Sequence, residues 1–227
     1  MFKNVFDFFV STVVEDGSST YYPTAAGNIA LIVIVFLLFM AIAAFAGNSN
    51  KIRIKQLAIS AMAVTLTVVT SFIKIGRLPY GGSITLFSMF FICLIGYLYG
   101  VKAGIIAGIA YAFIDLILES YIVHPVQLLL DYPIAFGCLG LAGVFANSKY
   151  GLIKGYIFGV VGRYLCHVIS GYIFFSSYAP EGVNTLYYTL VYNVFYIAPE
   201  MVITIALLLI PPIQNALKQV KRIAIEE

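Results

Sequence analysis

Seven times along this chain an apolar run reaches the length needed to cross a lipid bilayer. The hydrocarbon core takes about 20 helical residues, and the runs read as roughly 29–46, 56–73, 84–100, 103–119, 126–145, 155–175 and 187–211. In 227 residues that leaves one transmembrane bundle and almost no mass outside it. Charged residues make up 10% of the chain, against about 25% in soluble domains. A soluble globular enzyme, a disordered chain and a disulfide-stapled secreted domain are excluded. Backbone polar groups in lipid are satisfied only within helices or closed barrels. Runs of this length predict an all-α integral membrane protein.

The basic residues orient the bundle. Lys51, Arg53, Lys55, Lys102, Lys149, Lys154, Lys218, Lys221 and Arg222 fall on one side, and only Lys3, Lys74 and Arg77 on the other. Cytoplasmic loops carry the excess of Lys and Arg, so the N-terminus is expected outside and the C-terminus in the cytoplasm of a multi-pass cell-membrane protein. Residues 1–27 are mixed, with Gly17, Ser18, Ser19 and Pro23 marking a turn. They are too polar, and the first apolar run comes too late, for a cleavable signal peptide. A net charge of +3 gives no reason to expect a nucleic-acid partner. Cys93, Cys138 and Cys166 lie inside apolar runs without a CxxC pair, so neither disulfides nor a metal site is expected.

Small residues recur at helical spacing. Gly100, Gly104 and Gly108 enter the fourth span, and Gly151, Gly155 and Gly159 the sixth. Ala58, Ala61 and Thr65 give the second span a small-residue face. Such faces let helix backbones approach closely where lipid offers no hydrophobic drive. They serve packing inside the bundle or, on the second span, docking of a separate membrane partner.

Charged side chains near the bilayer centre cost about 2.5–3.5 kcal/mol on insertion scales, so Asp115, Asp131, Arg163, His167 and Glu200 each need a reason. On the sixth span Arg163, His167, Ser170 and Phe174 share a stripe with Gly171 at its edge; on the seventh, Asn193, Tyr196 and Glu200 share a face. Two readings follow. Arg163 can pair internally with Asp115 or Glu200, or the polar groups can line a pocket opening outward. The outer loop KIGRLPYGGS (74–83) has the glycines to fold over such a pocket, and Tyr121, His124 and Gln127 fall near its mouth above Asp131. No phosphate-binding loop, HExxH or GxSxG is present. The chain is therefore not expected to be an enzyme, and uphill transport would draw on an ion gradient or another subunit.

Four blocks, GGSITLFSM (81–89), HPVQLLLDYPIAFGCLGLAGVF (124–145), RYLCHVISGYIFFSSYAPEG (163–182) and YYTLVYNVFYIAPE (187–200), resemble the thiamine-specific substrate-binding (S) component of energy-coupling-factor (ECF) transporters. The resemblance covers about residues 56–211. It implies a six-helix S-component bundle here preceded by one extra N-terminal transmembrane helix. The expected organisation is an outer segment plus extra helix over 1–50, a thiamine-binding bundle over 51–214 and a cytoplasmic tail over 215–227. It implies thiamine as ligand, no cofactor, and a partner ECF module of a transmembrane coupling subunit with two ATPases.

The resemblance also assigns residues. Asp131 matches the acidic position that hydrogen-bonds the aminopyrimidine, with Tyr132 following it. His167 matches a histidine beside the thiazolium, and Phe175 stands where some members have Trp. Tyr188, Asn193 and Tyr121 match pocket residues; Tyr111 replaces a pocket Trp, and Arg163 holds a basic position. Gly82 belongs to the covering loop, 80–83. The family's docking helix corresponds to the span bearing Ala58, Ala61 and Thr65. The chain departs from the family in having no Trp and in its added first span. Another vitamin or a thiamine precursor such as hydroxymethylpyrimidine as ligand, or a self-sufficient ion-coupled transporter with Asp115, Arg163 and Glu200 as relay, are the alternatives.

Overall fold

The computed structural model describes residues 7–15, 18–30, 33, 54–78 and 82–225. Nearly all of the expected first span, 29–46, lies outside the described residues, as do positions 79–81 of the outer loop. Near the N-terminus, β1 (Val10–Glu15) and β2 (Ser18–Pro23) pair antiparallel, with Val10 opposite Pro23 and Glu15 opposite Ser18. Val and Thr at 10 and 12–14 suit a pleated strand.

The other six expected spans are helices. They are α1 (Ile54–Ser71), α2 (Ser88–Tyr99), α3 (Val101–Leu118), α4 (Pro125–Phe145), α5 (Gly151–Phe174) and α6 (Thr185–Leu208). Five are long and apolar enough to cross a membrane; α2, at 12 residues, is the short one. It rises about 18 Å, well short of a ~30 Å hydrocarbon core. The apolar segment read as one span over 84–100 is divided. Its first part is β4 (Ser83–Thr85), which pairs with β3 (Lys74–Arg77) to make the outer connection a hairpin. Helix α2 therefore starts inside the bundle.

A single residue, Gly100 at φ +89°, joins α2 to α3. An L side chain resists that conformation. The glycine spacing then sets the helix contacts. A Cβ on Gly104 would lie 2.7 Å from the Cα atoms of both Gly96 and Gly140, and one on Gly155 would collide with the Ala142 carbonyl. So α2, α3, α4 and α5 touch backbone to backbone, and these repeats pack the bundle internally. Met89, Ile92, Tyr111, Leu116, Leu139 and Tyr156 fill the core between them.

Helix α1 is peripheral. It buries Ala63 and Thr67 and leaves Ala58, Ala61 and Thr65 exposed on its outer side. The segment read as a tail is mostly a seventh helix, α7 (Pro211–Ile225). Lys221 ties it back, donating to the Tyr97 hydroxyl (3.1 Å) and the Ala146 carbonyl (3.4 Å). The ends of α2, α4 and α6 thus share one end of the bundle with the basic residues Lys102, Lys149, Lys154, Lys218, Lys221 and Arg222.

Candidate ligand-binding site

At the opposite end of the bundle is a cavity of about 200 Å³. All ten residues expected at a binding site line it. The hairpin contributes Gly82, α3 Tyr111, the α3–α4 turn Tyr121, α4 Asp131 and Tyr132, α5 Arg163 and His167, the α5 C-cap Phe175, and α6 Tyr188 and Asn193.

The local sequence explains how Asp131 is presented. Pro133 lies inside α4 and cannot donate to the preceding turn, and residues Leu130–Ile134 relax into a wider π turn. Asp131 sits on that turn. His167 Nδ1 approaches its Oδ1 at 2.9 Å, while Ser170 and Gln127 donate to Oδ2 at 2.9 and 2.7 Å. Arg163 donates through Nε to His167 Nε2 at 3.2 Å. Arginine has no acceptor, so Nε2 carries no proton and the imidazole hydrogen is on Nδ1, aimed at the carboxylate. Arg163, His167 and Asp131 form one chain in which the guanidinium charge offsets the carboxylate. The guanidinium also lies over the Phe136 ring, 4.2 Å from its centroid.

The aromatic residues divide into two groups. Phe175 stacks with Tyr121 (6.1 Å) and with Tyr178 (5.6 Å), and the two tyrosine hydroxyls meet at 3.0 Å. Tyr188, Tyr192 and Tyr196, spaced four apart, form a ladder along α6 with centroids 5.8 Å apart at each step. Tyr196 donates to Asn193 Oδ1 (2.7 Å), and Asn193 Nδ2 donates to the Thr189 carbonyl (2.8 Å). Gly82 N–H donates to the Tyr192 hydroxyl at 3.0 Å, closing the hairpin onto α6. A Cβ there would come within 2.7 Å of that oxygen. Tyr132 borders the cavity with a hydroxyl already committed. It accepts from Tyr121 N–H (2.9 Å) and donates to the Glu119 carbonyl (3.3 Å), fixing the α3–α4 turn.

The internal ion pairs considered for Arg163 do not form: among the described residues neither Asp115 nor Glu200 is within ion-pair distance of it. Glu200, 2% exposed, has a different partner. It accepts from Met89 N–H (2.9 Å), Thr85 Oγ1 (2.6 Å) and Ser88 Oγ (3.2 Å). Because α2 starts inside the bundle, its orphan N–H groups need an acceptor, and the helix dipole favours an anion there. Glu200 supplies both from α6 and does not line the cavity. Asp115 does line it, accepting one hydrogen bond from Tyr111 (3.2 Å). Lys74 pairs with Glu119 at the rim. Among the described residues no cluster of three or more metal-ligating side chains occurs.

Gln127, expected near the mouth, and Ser170, on the stripe of Arg163 and His167, hold Asp131, while Tyr178 and Tyr192, outside the expected set, complete the aromatic groups. The i, i+4, i+8 tyrosine spacing on α6 was the signal for Tyr192. Nothing in the sequence marked Tyr178 apart from other interfacial tyrosines.

A model of the thiamine transporter protein family (Thia_YuaJ) matches residues 57–220. The thiamine transporter ThiT of Bacillus subtilis is 35% identical over 173 residues, covering 69% of this chain and 88% of that protein. The ThiT of Lacticaseibacillus paracasei is 35% identical over 104 residues, 38% of this chain and 52% of that protein. A solved structure of ThiT from Listeria monocytogenes superposes with a TM-score of 0.59 at 22% identity, covering 77% of this chain and 100% of that one, a likeness of fold. With the family match running from α1 into α7 across the whole cavity, the chain belongs to the thiamine transporter protein family, multi-pass membrane transporters rather than enzymes.

Proposed function

We propose that this chain is the thiamine-binding S component of an ECF importer. The observation that carries the reading is the convergence of ten residues from the hairpin, α3, the α3–α4 turn, α4, α5 and α6 on one cavity. Thiamine is a permanent cation joined to an aromatic aminopyrimidine. The Asp131 carboxylate accepts a charge-assisted hydrogen bond from the aminopyrimidine. His167 and Phe175 flank the thiazolium, with Tyr121 and Tyr188 completing aromatic walls that attract a cation. Arg163 holds His167 in its neutral tautomer, which avoids placing two positive rings side by side. Asn193 and Tyr111 shape the walls, and Gly82 lets the hairpin close over the ligand.

The cavity end faces outward and the basic end, with α7, faces the cytoplasm, in keeping with the distribution of Lys and Arg. The exposed Ala58, Ala61 and Thr65 on α1 dock the bundle, residues 51–214, on a transmembrane coupling subunit whose two ATPases supply the energy. Proteoliposomes test this reading. The chain alone, under a proton or sodium gradient, takes up no labelled thiamine; uptake appears when the coupling subunit, both ATPases and ATP are added. Gradient-driven uptake by the chain alone contradicts it. Hydroxymethylpyrimidine competes weakly against labelled thiamine, and equal competition would shift the ligand to that precursor.

A further inference from the structure

The ionised groups lining the cavity do not balance. Lys74 is paired with Glu119 at the rim, and Arg163 is linked to Asp131 through His167. Asp115 is the carboxylate left over. Its one hydrogen bond comes from the neutral Tyr111 hydroxyl of its own helix, 3.2 Å away. Among the described residues no cation lies within ion-pair distance of it. Arg163, the other cation that lines the same cavity, is committed to His167 and to the Phe136 face. A carboxylate without an ion-pair partner inside a membrane bundle is costly, and a cation entering the cavity offsets that cost.

We infer that Asp115 is the counter-charge for a permanently cationic ligand and makes the cavity select a charged heteroaromatic ring over its neutral isostere. This rests on the thiamine reading above and extends it, giving the two carboxylates different work. Asp131, held by three donors, orients the ligand through a directed hydrogen bond. Asp115 acts through its field, which weakly screened surroundings carry over several ångströms without direct contact. Selection by Asp115 is thus of charge, and selection by Asp131 of hydrogen-bonding pattern.

Calorimetry on the purified full-length chain tests this with two ligands of nearly equal shape. One is thiamine; the other is its neutral analogue, in which an uncharged thiophene replaces the thiazolium. Asp115→Asn should weaken thiamine binding roughly 10- to 100-fold, the span expected for one unit charge removed about 6–12 Å away at an effective dielectric near 20. The neutral analogue should lose less than about 3-fold, by the same charge argument. Asp115→Glu, which keeps the charge, should retain the preference for thiamine. The ligand-free melting temperature of Asp115→Asn should equal or exceed that of the unaltered chain, since an unpaired charge has been removed. Equal losses for both ligands, or an undiminished thiamine affinity, overturns the inference. Failure of the unaltered chain to bind either ligand overturns the thiamine reading itself.

Discussion

His167 Nδ1 and Asp131 Oδ1 stand 2.9 Å apart, joining the middle of α5 to the π turn of α4. The bond runs from a neutral imidazole to a carboxylate, because Arg163 occupies the other ring nitrogen as a donor. Two helices are thereby locked so that an acid, an aromatic imidazole face and a guanidinium share one wall of the cavity. Each of the three is expensive in lipid alone; as a connected chain they are mutually satisfied, which is the condition under which buried polar networks are tolerated.

Gln127 is the support beneath Asp131. It accepts from Val123 N–H (3.1 Å) and donates to the Tyr121 carbonyl (3.2 Å) and Asp131 (2.7 Å), with 2% of its surface exposed. Gln127→Ala takes the side-chain partner from Val123 N–H and the Tyr121 carbonyl and removes one of the three donors to Asp131, at about 1–3 kcal/mol each when water cannot reach them. The expected result is a fall of roughly 5–15 °C in melting temperature together with weaker thiamine binding. Thermal unfolding in detergent with calorimetry alongside checks both.

Glu200 separates a structural carboxylate from a proton relay. Glu200→Ala should destabilise the chain by about 2–4 kcal/mol, since it strips the acceptor from the start of α2. Thiamine affinity in the folded fraction should change little, as the side chain does not line the cavity. A variant of unchanged stability that has lost transport would instead indicate a relay.

Gly82 N–H to the Tyr192 hydroxyl is one of the hydrogen bonds that hold the hairpin on α6, beside that of Thr85 to Glu200. Tyr192→Phe removes the acceptor, and Gly82→Ala forces a Cβ against that same hydroxyl. Both should raise the thiamine dissociation rate, by about 5- to 10-fold for Tyr192→Phe, in line with the loss of about 1 kcal/mol for a single neutral hydrogen bond. Stopped-flow displacement reads this directly.

Ala61 lies exposed on the outer side of α1, away from the cavity. Ala61→Trp should abolish thiamine uptake in cells while leaving binding by the purified chain unchanged. Loss of binding would place that face inside the bundle.

Hydropathy marked the helices α1 and α3–α6 to within a few residues, because the bilayer demands about 20 apolar residues whatever their neighbours. It misplaced the start of α2 because Ile84 and Leu86, in or beside the hairpin strand, are as apolar as the helix that follows. It overlooked α7, whose Lys and Arg read as a tail although Ile213, Leu217 and Ala224 keep a helical period facing the bundle. The cavity residues were legible because a charge or amide inside an apolar run demands a reason, and the resemblance supplied one for most of them. Glu200 was not legible, since its reason is where α2 begins, and that depends on a three-residue strand. Nor was the linkage of Arg163 to His167 instead of to an acid, because helical spacing places residues on a face without choosing their partner across it.

The most direct test of the account is equilibrium calorimetry of thiamine with the detergent-purified chain and its Asp131→Asn variant. The unaltered chain should bind one thiamine, and the variant, of comparable melting temperature, should bind roughly 10- to 150-fold more weakly, the loss of a charge-assisted hydrogen bond. Equal affinity in the two proteins would contradict the assignment of this carboxylate, and with it the cavity as the place where the vitamin is held.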